Sequence, residues 1–356
     1  MLQILKPGLL DTLQDAGRFG FAVSGINTNG VMDSYAMQVA NALVANHVNE
    51  AVIEMHFPAA VIRFEQATLI ALSGADFGAV INETAIAINK VVLVPKGAVL
   101  SFKRKMEGSR VYLSVYGGFA VKPWLHSVST NIVAAAGGLG AGKLVRDDTI
   151  FFKQKTPWAT EVVKVFRWRA DTATAYMDAH YLYCIKGPEW DWLTPESQHL
   201  FLQEPFSIAP QSDRMAIRLQ GEKLTCTNNG ASLKTFLFAS YGGDLIERPT
   251  KKSGVLQMPI TQMVSAAVAM GSIQLLPNGD ALVLMADHQT TGGYPRIATI
   301  ITAHLPKLAQ ATAGDYIHLL QVPQHTAEEL LIAQQDELSI LNTACKFKVD
   351  GLTLNL

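Results

Sequence analysis

The sequence contains few charged residues and has almost no net charge. Asp, Glu, Lys and Arg make up only 17% of its 356 residues, and 29 basic residues nearly balance 30 acidic ones, which leaves a net charge of −1. An average soluble domain is about 25% charged. The chain therefore lacks the excess positive charge that nucleic-acid backbones and anionic membrane surfaces attract, and we expect it to bind neither.

Cysteine is scarce, and long apolar runs are missing. The three cysteines, Cys184, Cys226 and Cys345, are an odd number, and their spacing is typical neither of a disulfide framework nor of a zinc site. No apolar stretch reaches the roughly 18 residues of a membrane-spanning helix, and the N-terminus lacks a signal-peptide pattern. The nine histidines show no metal-ligand spacing. These absences predict a cytoplasmic protein without a metal site, with the cysteines as small buried apolar residues.

Short runs of β-forming residues, bounded by Gly, Pro and Asn, occupy most of the chain. They predict strands over residues 67–72, 85–94, 99–102, 110–116, 149–152, 215–219, 233–238, 273–276, 281–285 and 316–322. Because few long helices separate these strands, the pattern favours a sandwich or barrel over a doubly wound parallel sheet. We therefore predict a mainly β protein.

Helical patterns occur in four places. Asp33 is a good N-cap for a helix over 34–45, and Thr194 with Pro195 begins a helix toward residue 202. A weaker helical segment around 298–311 is interrupted by Pro306. A capping box that starts at Thr326 predicts a helix to about residue 341.

The length of 356 residues predicts about two domains. A boundary after Thr156 gives domains over 1–156 and 157–356. Two glycines followed by an aromatic residue occur at 117–119 and again at 292–294. Two related β-domains would produce this repeat, and so would coincidence.

The densest cluster of polar residues and glycines follows the predicted strand 281–285. Asp287 is a candidate general base or orienting carboxylate, and Gln289 offers both donors and acceptors. Adjacent glycines allow a ligand to approach the backbone closely. The alternative is a solvated strand-end loop with a tight turn, and we expect the loop to be exposed. The candidates from this loop are Asp287, Gln289, Thr290, Thr291, Gly292, Gly293 and Tyr294.

Three weaker candidates lie outside this loop. The N-cap position of Asp33 explains that residue alone, although a helix N-terminus also favours anions. Arg214 is either a carboxylate or phosphate binder or a member of a structural ion pair, and the structural role is favoured. Segment 137–144 imitates a P-loop, but Leu144 stands where the pattern needs Ser or Thr. We interpret this segment as a glycine-rich connection between strands.

Motifs along nearly the whole chain resemble one known family. They comprise residues 13–18, 30–33 through 40–41, 46–54, 73–76, 116–119, 212–215 with 218–219 and 221, 271–274, and 286–287 with 289–295. Together they resemble the family called allophanate hydrolase subunit 2, whose members are biotin-dependent carboxyltransferase C-type subunits. The resemblance implies two cyclophilin-like β-barrel domains, in agreement with the strand pattern. Gln274, within one of these motifs, joins Asp33 and Arg214 as a candidate for substrate binding.

The resemblance also implies a function as the C-type subunit of a 5-oxoprolinase complex. Such a complex cleaves 5-oxo-L-proline to L-glutamate with ATP hydrolysis, and phosphorylation is a reasonable way to activate the stable lactam. Asp287 and Gln289 would be catalytic, and the other candidates would bind the small-molecule substrate. ATP would be a cofactor of the assembled complex, and the chain alone would be inactive. The partners would be the A-type subunit of 5-oxoprolinase and its Kip-inhibitor-like B-type subunit.

Two alternatives share the same motifs and stay open. One is a non-catalytic regulatory protein that binds and antagonises a Kip-type inhibitor of a histidine kinase. The other is the carboxyltransferase component of a urea-type biotin-dependent carboxylase. The chain has no Met-Lys-Met motif, so covalent biotin would be carried by other chains. Val128 also departs from the family, where a basic residue is usual at this position.

Overall fold

The computed structural model describes residues 1–227 and 263–355, and the strand predicted over 233–238 lies outside them. The described residues form two β-rich parts, which confirms the prediction of a mainly β protein. We call residues 1–169 together with the C-terminal helix the first lobe, and residues 181–321 the second lobe.

Two six-stranded sheets build the first lobe. In spatial order, one sheet contains β11 (Thr149–Ile150), β1 (Leu2–Lys6), β4 (Val61–Phe64), β9 (Val99–Phe102), β6 (Ala79–Ile81) and β7 (Thr84–Ala85). The other contains β12 (Lys164–Arg169), β8 (Lys90–Val94), β5 (Thr68–Asp76), β10 (Glu107–Val115), β3 (Val52–His56) and β2 (Thr12–Gln14).

The central strand β5 shows why its sheet has helices on the outer face. Because successive side chains of a strand point to opposite faces, Ile70 and Leu72 enter the core between the two sheets. Leu69 and Ala71 point to the other face and pack in a second core with residues of three helices. A strand that is buried on both faces reads as a continuous apolar run, and that is how residues 69–72 read.

The second lobe is a closed barrel. Its strands, in spatial order, are β13 (Tyr181–Lys186), β20 (Arg296–Ile300), β17 (Ser272–Leu275), β18 (Ala281–Leu284), β15 (Ala216–Gln220), β14 (Phe206–Ile208) and β21 (Tyr316–Gln321). Neighbouring strands are antiparallel except β13 and β21, which run parallel and close the barrel. A separate two-stranded ladder joins β16 (Ala266–Ala267) to β19 (Thr291–Gly292).

The helices are α1 (Ser34–Leu43), α2 (Ala173–Tyr176), α3 (Pro195–Gln203), α4 (Leu305–Gln310) and α5 (Gln324–Asn355), with 3-10 turns at Ala22–Ser24, Trp190–Trp192 and Thr302–His304. The predicted caps of α1 and α3 are confirmed. Asp33 accepts a hydrogen bond from the backbone N of Ala36 at 2.8 Å, and Thr194 accepts one from Ser197 N at 3.1 Å. No helix in the described ranges is long and apolar enough to cross a bilayer.

Three predictions of elements were wrong in part. The segment around 298–311 begins as strand β20, and Pro306 lies in the first turn of α4, where its missing N–H leaves no bond unmade. The run 85–94 is broken because Asn89 has a left-handed backbone with φ of 59°, so β8 starts only at residue 90. Helix α5 continues 14 residues beyond 341 to 355, because its buried side packs along α1.

The domain boundary after Thr156 stays a prediction. Strand β12, beyond that position, pairs with β8 in the first lobe, where Lys164 is opposite Leu93. Helix α5 also belongs to this lobe, since Leu338 and Cys345 share a hydrophobic core with Tyr35 and Val39 of α1.

The seam between α1 and α5 gives a stability prediction. Leu338 is 6% exposed, whereas Ile340, two residues along the same helix, is 71% exposed. We expect Leu338→Ala to lower the free energy of unfolding by about 2–4 kcal/mol, because truncation leaves a cavity in the core. The matched Ile340→Ala variant should change it by less than about 0.5 kcal/mol. Urea denaturation measures both values, and equal losses would show that α5 does not stabilise the first lobe.

Candidate functional site

The candidate site lies where the loop after β18 meets the segment before β15. Met285 N donates to Met215 O at 2.9 Å, and Asp287 N donates to Arg214 O at 2.8 Å. These backbone bonds continue the pairing of β18 with β15 beyond the ends of both strands. The two candidates Arg214 and Asp287, 73 residues apart in the chain, are therefore neighbours.

Arg214 joins the two lobes through buried ion pairs. Its Nε donates to Asp287 Oδ2 at 3.0 Å and its Nη2 donates to Asp287 Oδ1 at 2.8 Å. Its Nη1 donates to Glu54 Oε1 of strand β3, and Nη2 also donates to Gly30 O at 2.6 Å. Arg214 is 5% exposed and Glu54 is fully buried. The geometry thus supports the structural role that was favoured for Arg214.

Charge attraction keeps the buried side chains of Glu54 and Arg214 ionised. Burial alone would raise the pKa of Glu54, but the positive charges of Arg214 and Arg110 bring it below its ordinary value. Burial likewise opposes the charge of Arg214, but Glu54 and Asp287 raise the pKa of its guanidinium. The pair is therefore charged throughout the neutral pH range. Removing one partner would leave a buried charge without compensation.

Asp287 is held by the first lobe as well. Asn29 donates its Nδ2 to Asp287 Oδ1 at 2.5 Å, and Asn27 donates its Nδ2 to the Asp287 backbone O at 3.0 Å. Asp287 is 8% exposed, so the prediction of an exposed loop was wrong for this residue. Both carboxylate oxygens already accept hydrogen bonds from Arg214. This arrangement suits a residue that positions others, and its catalytic assignment stays a prediction.

Further polar residues of the first lobe hold Asn29 and a neighbouring loop in place. Arg18 donates to Asn29 Oδ1 at 2.6 Å and to the backbone O of Ser129. Asp15 accepts hydrogen bonds of 2.6 Å from the hydroxyls of Ser127 and Ser129. The loop that carries the departure at Val128 is thereby tied to the Arg214 cluster, by which we mean Arg18, Asn29, Glu54, Arg214 and Asp287.

Sequence reasoning did not select Arg18, Asn29 or Glu54 as site residues. Arg18 lies in the first family motif, so its position was a usable signal. Glu54 ends another family motif, so its position was a usable signal as well. Asn29 carries no such signal, and the partners of Asn29 and Glu54, Asp287 and Arg214, lie 258 and 160 residues away. Only the fold brings these groups together.

The rest of the predicted loop forms a separate group around Gln274. Gln289 and Thr291 are exposed, and Thr290, Gly293 and Tyr294 are half-buried. Gln274 is fully buried and its Nε2 donates to Tyr294 O at 3.4 Å. A Cβ at Gly292 would collide with this amide, which explains the glycine. Gln274 therefore supports the loop from below, and its Oε1 has no hydrogen-bond partner.

The backbone of this loop is fixed on its other side. Val268 N donates to Thr290 O at 3.2 Å, and Met263 N donates to Gly293 O at 2.8 Å. Strand β19 pairs with β16, so that Gly292 faces Ala266. The loop thus presents an amide, two hydroxyls and a phenol on a rigid backbone. These groups offer hydrogen bonds to the oxygens of a carbonyl or carboxylate.

Asp33 lies apart from both groups. One carboxylate oxygen caps α1, and the other accepts hydrogen bonds of 2.7 Å from Tyr176 OH and from Gln310 Nε2. The side chain is fully buried, and burial raises the pKa of Asp33 to about 6. These contacts show that Asp33 caps α1 and is hydrogen-bonded to Gln310 of α4 in the second lobe. A cavity of about 970 Å³ lies beyond Tyr176 and Gln310.

No group of three or more His, Cys, Asp or Glu side chains within residues 1–227 and 263–355 has the geometry to hold a metal ion. Burial lowers the pKa of His288, and its Nδ1 lies 2.5 Å from Gln289 O. His288 is buried, with 7% of its surface exposed.

Comparisons with known proteins identify relatives along the whole chain. Residues 24–321 match the family described as carboxyltransferase domain, subdomain A and B. The chain is 32% identical to the C-type subunit of 5-oxoprolinase from Escherichia coli (strain K12) over 340 residues, which is 95% of both proteins. It is 25% identical to urea amidolyase of Lachancea kluyveri, covering 99% of this chain but 18% of that protein.

The crystal structure of the Kluyveromyces lactis urea carboxylase has the same fold. It superposes with a TM-score of 0.80 at 24% sequence identity, over 96% of this chain and 29% of that one. The chain thus corresponds to under a third of that larger enzyme.

Asp287→Asn tests the positioning role. The variant keeps the size of the side chain but leaves Arg214 with one carboxylate partner instead of two. We expect the free energy of unfolding to fall by about 3 kcal/mol, as for other broken buried ion pairs. The control Asp191→Asn removes an exposed carboxylate and should change it by less than about 0.5 kcal/mol. Denaturant unfolding that gives equal values for both variants would exclude a structural role of Asp287.

Asp33 gives a prediction of pH dependence. In the unfolded chain Asp33 loses its proton near its ordinary pKa of 3.8, but in the folded protein only near 6. The folded state therefore binds the proton more tightly, and its stability falls as pH rises through this window. Asp33→Asn keeps a capping side chain but does not titrate.

The test is the difference in unfolding free energy between the native protein and Asp33→Asn. It should shift by about 2 kcal/mol between pH 4 and pH 7, to the disadvantage of the native protein. Other titrating groups are common to both proteins and cancel. Parallel stability profiles over this range would contradict the raised pKa of Asp33.

Proposed function

The chain belongs to the family of carboxyltransferase domains, subdomains A and B, and from this membership we propose that it is the C-type subunit of an ATP-dependent 5-oxoprolinase complex. One observation carries the proposal. The match to the C-type subunit from Escherichia coli extends over 95% of both chains, whereas the match to urea amidolyase covers only 18% of that protein. The proposed reaction is cleavage of 5-oxo-L-proline to L-glutamate.

The loop of residues 289–294 is the proposed substrate-binding surface. Gln289, Thr290 and Thr291 would donate hydrogen bonds to oxygens of the substrate, and Tyr294 would lie beside them. Glycine at position 293 leaves room for the neighbouring segment, since a Cβ there would lie 3.2 Å from Met263 O. The Arg214 cluster fixes the start of this loop through Asp287, and Gln274 fixes its end. In this proposal the substrate contacts hydrogen-bond donors at the surface of the loop, and the buried Arg214 cluster and Gln274 hold the loop in place.

Segment 137–144 does not fit the phosphates of ATP. Phosphate-binding glycine loops lead into a helix whose N-terminal amides face the ligand. Segment 137–144 consists of turns, and the element that follows it is strand β11. We therefore assign ATP binding to the other components of the complex, either the A-type subunit or the Kip-inhibitor-like one. Covalent biotin is not assigned to this chain either.

We place this complex in the cytoplasm. The described cysteines Cys184, Cys226 and Cys345 are free, and burial raises the pKa of each thiol. Such thiols are unreactive, as suits a reducing compartment.

A carboxyltransferase role in a urea-type biotin-dependent carboxylase is the second candidate. The similarity to urea amidolyase and the fold shared with urea carboxylase favour it. Those proteins are several times longer, so other chains would have to supply the biotin and the carboxylase. Sensitivity to avidin separates the two candidates, because avidin sequesters biotin. Turnover of 5-oxo-L-proline should not respond to it.

The proposal predicts that the purified chain alone has no ATPase activity that depends on 5-oxo-L-proline. Activity should appear when the A-type and B-type subunits are added. In the reconstituted complex, Gln289→Ala should lower kcat/KM about tenfold or more, because a hydrogen bond to the reacting group is lost. The control Gln335→Ala removes an exposed glutamine of α5 and should leave kcat/KM unchanged. Robust turnover by the isolated chain, or equal activity of both variants, would contradict the proposal.

A further inference from the structure

Helix α5 exposes large apolar side chains on the face that points away from the first lobe. Leu338, Cys345 and Val349 bury its inner face in the core around α1. Ile340 and Phe347 lie on the outer face and are 71% and 76% exposed. Single exposed apolar residues are normal on a protein surface, whereas an apolar patch marks a contact site. The outer face of α5 is therefore a candidate docking surface.

Three exposed residues define the line of this surface, which we call the α5 stripe: Ala333, Ile340 and Phe347. Each is seven residues from the next, which is close to two helical turns, so all three point in nearly the same direction. With a rise of about 1.5 Å per residue, Ala333 and Phe347 lie about 10 Å to either side of Ile340 along the helix. The exposed side chains of Thr343 and Ala344, between Ile340 and Phe347, are small and allow another helix to approach closely.

A second copy of α5 fits this stripe when it runs antiparallel. With the two Ile340 side chains in contact at a two-fold axis, Phe347 of each copy lies at the level of Ala333 of the other. The ring then fills the space beside the small alanine, as in the packing of knobs into holes. In parallel copies the two rings would meet each other, and the two alanines would leave a gap.

The charges of α5 also complement each other only in antiparallel copies. Residues 324–339 carry four carboxylates and no Lys or Arg, whereas residues 340–355 carry two lysines and one aspartate. Parallel copies would bring the two acidic halves together, which is unfavourable. Antiparallel copies place each acidic half beside the more basic half of the other copy.

Asp336 and Lys346 form a specific pair in this arrangement. Both are exposed, and no ion pair within residues 1–227 and 263–355 involves either of them. Asp336 lies four residues before Ile340 and Lys346 lies six residues after it, so in antiparallel copies their levels along the helix differ by about 3 Å. Both lie on the same side of the stripe, and a two-fold axis makes like sides face each other. The ammonium of Lys346 therefore reaches Asp336 of the other copy.

We propose that the α5 stripe is the contact of a two-fold symmetric homodimer, in which the outer faces of two antiparallel α5 helices pack against each other. One helix face per copy is a small contact, so the dimer is reversible and we expect a Kd of about 10–100 µM. At low micromolar concentration the chain is monomeric, and this is the condition for the unfolding comparison of Leu338 and Ile340. The dimer does not depend on the proposed enzyme activity, because none of its contact residues belongs to the loop of residues 289–294.

Sedimentation equilibrium of the full chain between about 1 and 300 µM tests the proposal. The average mass should rise from that of the monomer toward that of the dimer. Ile340→Asp places two carboxylates against each other at the two-fold axis and should weaken dimerisation at least about tenfold. The control Val23→Asp makes the same kind of change at a fully exposed valine outside α5 and should leave dimerisation unchanged. Equal dimerisation of both variants would overturn the proposal, and so would a native chain that stays monomeric, whose stripe would then belong to a different partner.

An exchange of charges tests the antiparallel arrangement. Asp336→Lys brings lysines together at both symmetric contacts and should weaken dimerisation about threefold or more. Adding Lys346→Asp restores opposite charges and should return the Kd to within about twofold of the native value. Both side chains are exposed, so the variants should fold normally, which circular dichroism checks. If the double variant dimerises as weakly as Asp336→Lys alone, the proposed pairing of the two copies is wrong.

Discussion

The arrangement of the two lobes depends on one buried cation, the guanidinium of Arg214. Arg214 belongs to the second lobe, and a carboxylate of the first lobe neutralises part of its charge. Arg214 comes from the segment before β15, Asp287 from the loop after β18, and Glu54 from β3 of the first lobe. Two ions that are removed from water gain stability only when their geometry is fixed. The contact therefore restricts how the lobes are oriented. The hydrogen bonds from Asn29 and Asn27 to Asp287 also cross between the lobes and depend on that orientation.

Local chemistry allowed the strands and caps to be predicted, because turns and caps use residues that are adjacent in the chain. Asp33 and Thr194 cap α1 and α3 as their positions indicated. The length of α5 was not predictable, since the residues after 341 are held by α1, which lies about 300 residues earlier. The capping box therefore predicted only the first part of α5, and the part after residue 341 depends on packing that no local pattern shows.

The sequence predicted one loop of the candidate site but not the contacts that surround it. The sequence placed Asp287, Gln289 and Tyr294 together, and that grouping requires only a single loop. It could not show that Asp287 is buried, because the residues that cover it, Asn27 and Asn29, come from the other lobe. Gln274 was a candidate for contact with substrate, yet its contacts place it beneath the loop. Burial is a property of the assembled fold, so a strand-end loop cannot be assumed to be exposed.

The order of elements along the chain also decides when each lobe is completed during synthesis. Strand β12 and helix α5 both pack in the first lobe, but the whole barrel of residues 181–321 lies between them. A ribosome releases about 5–20 residues per second, so β12 emerges on the order of ten seconds before α5. During that interval the hydrophobic core around α1 lacks Leu338, Cys345 and Val349 of α5. The packing of the first lobe is therefore completed only after the barrel has been made.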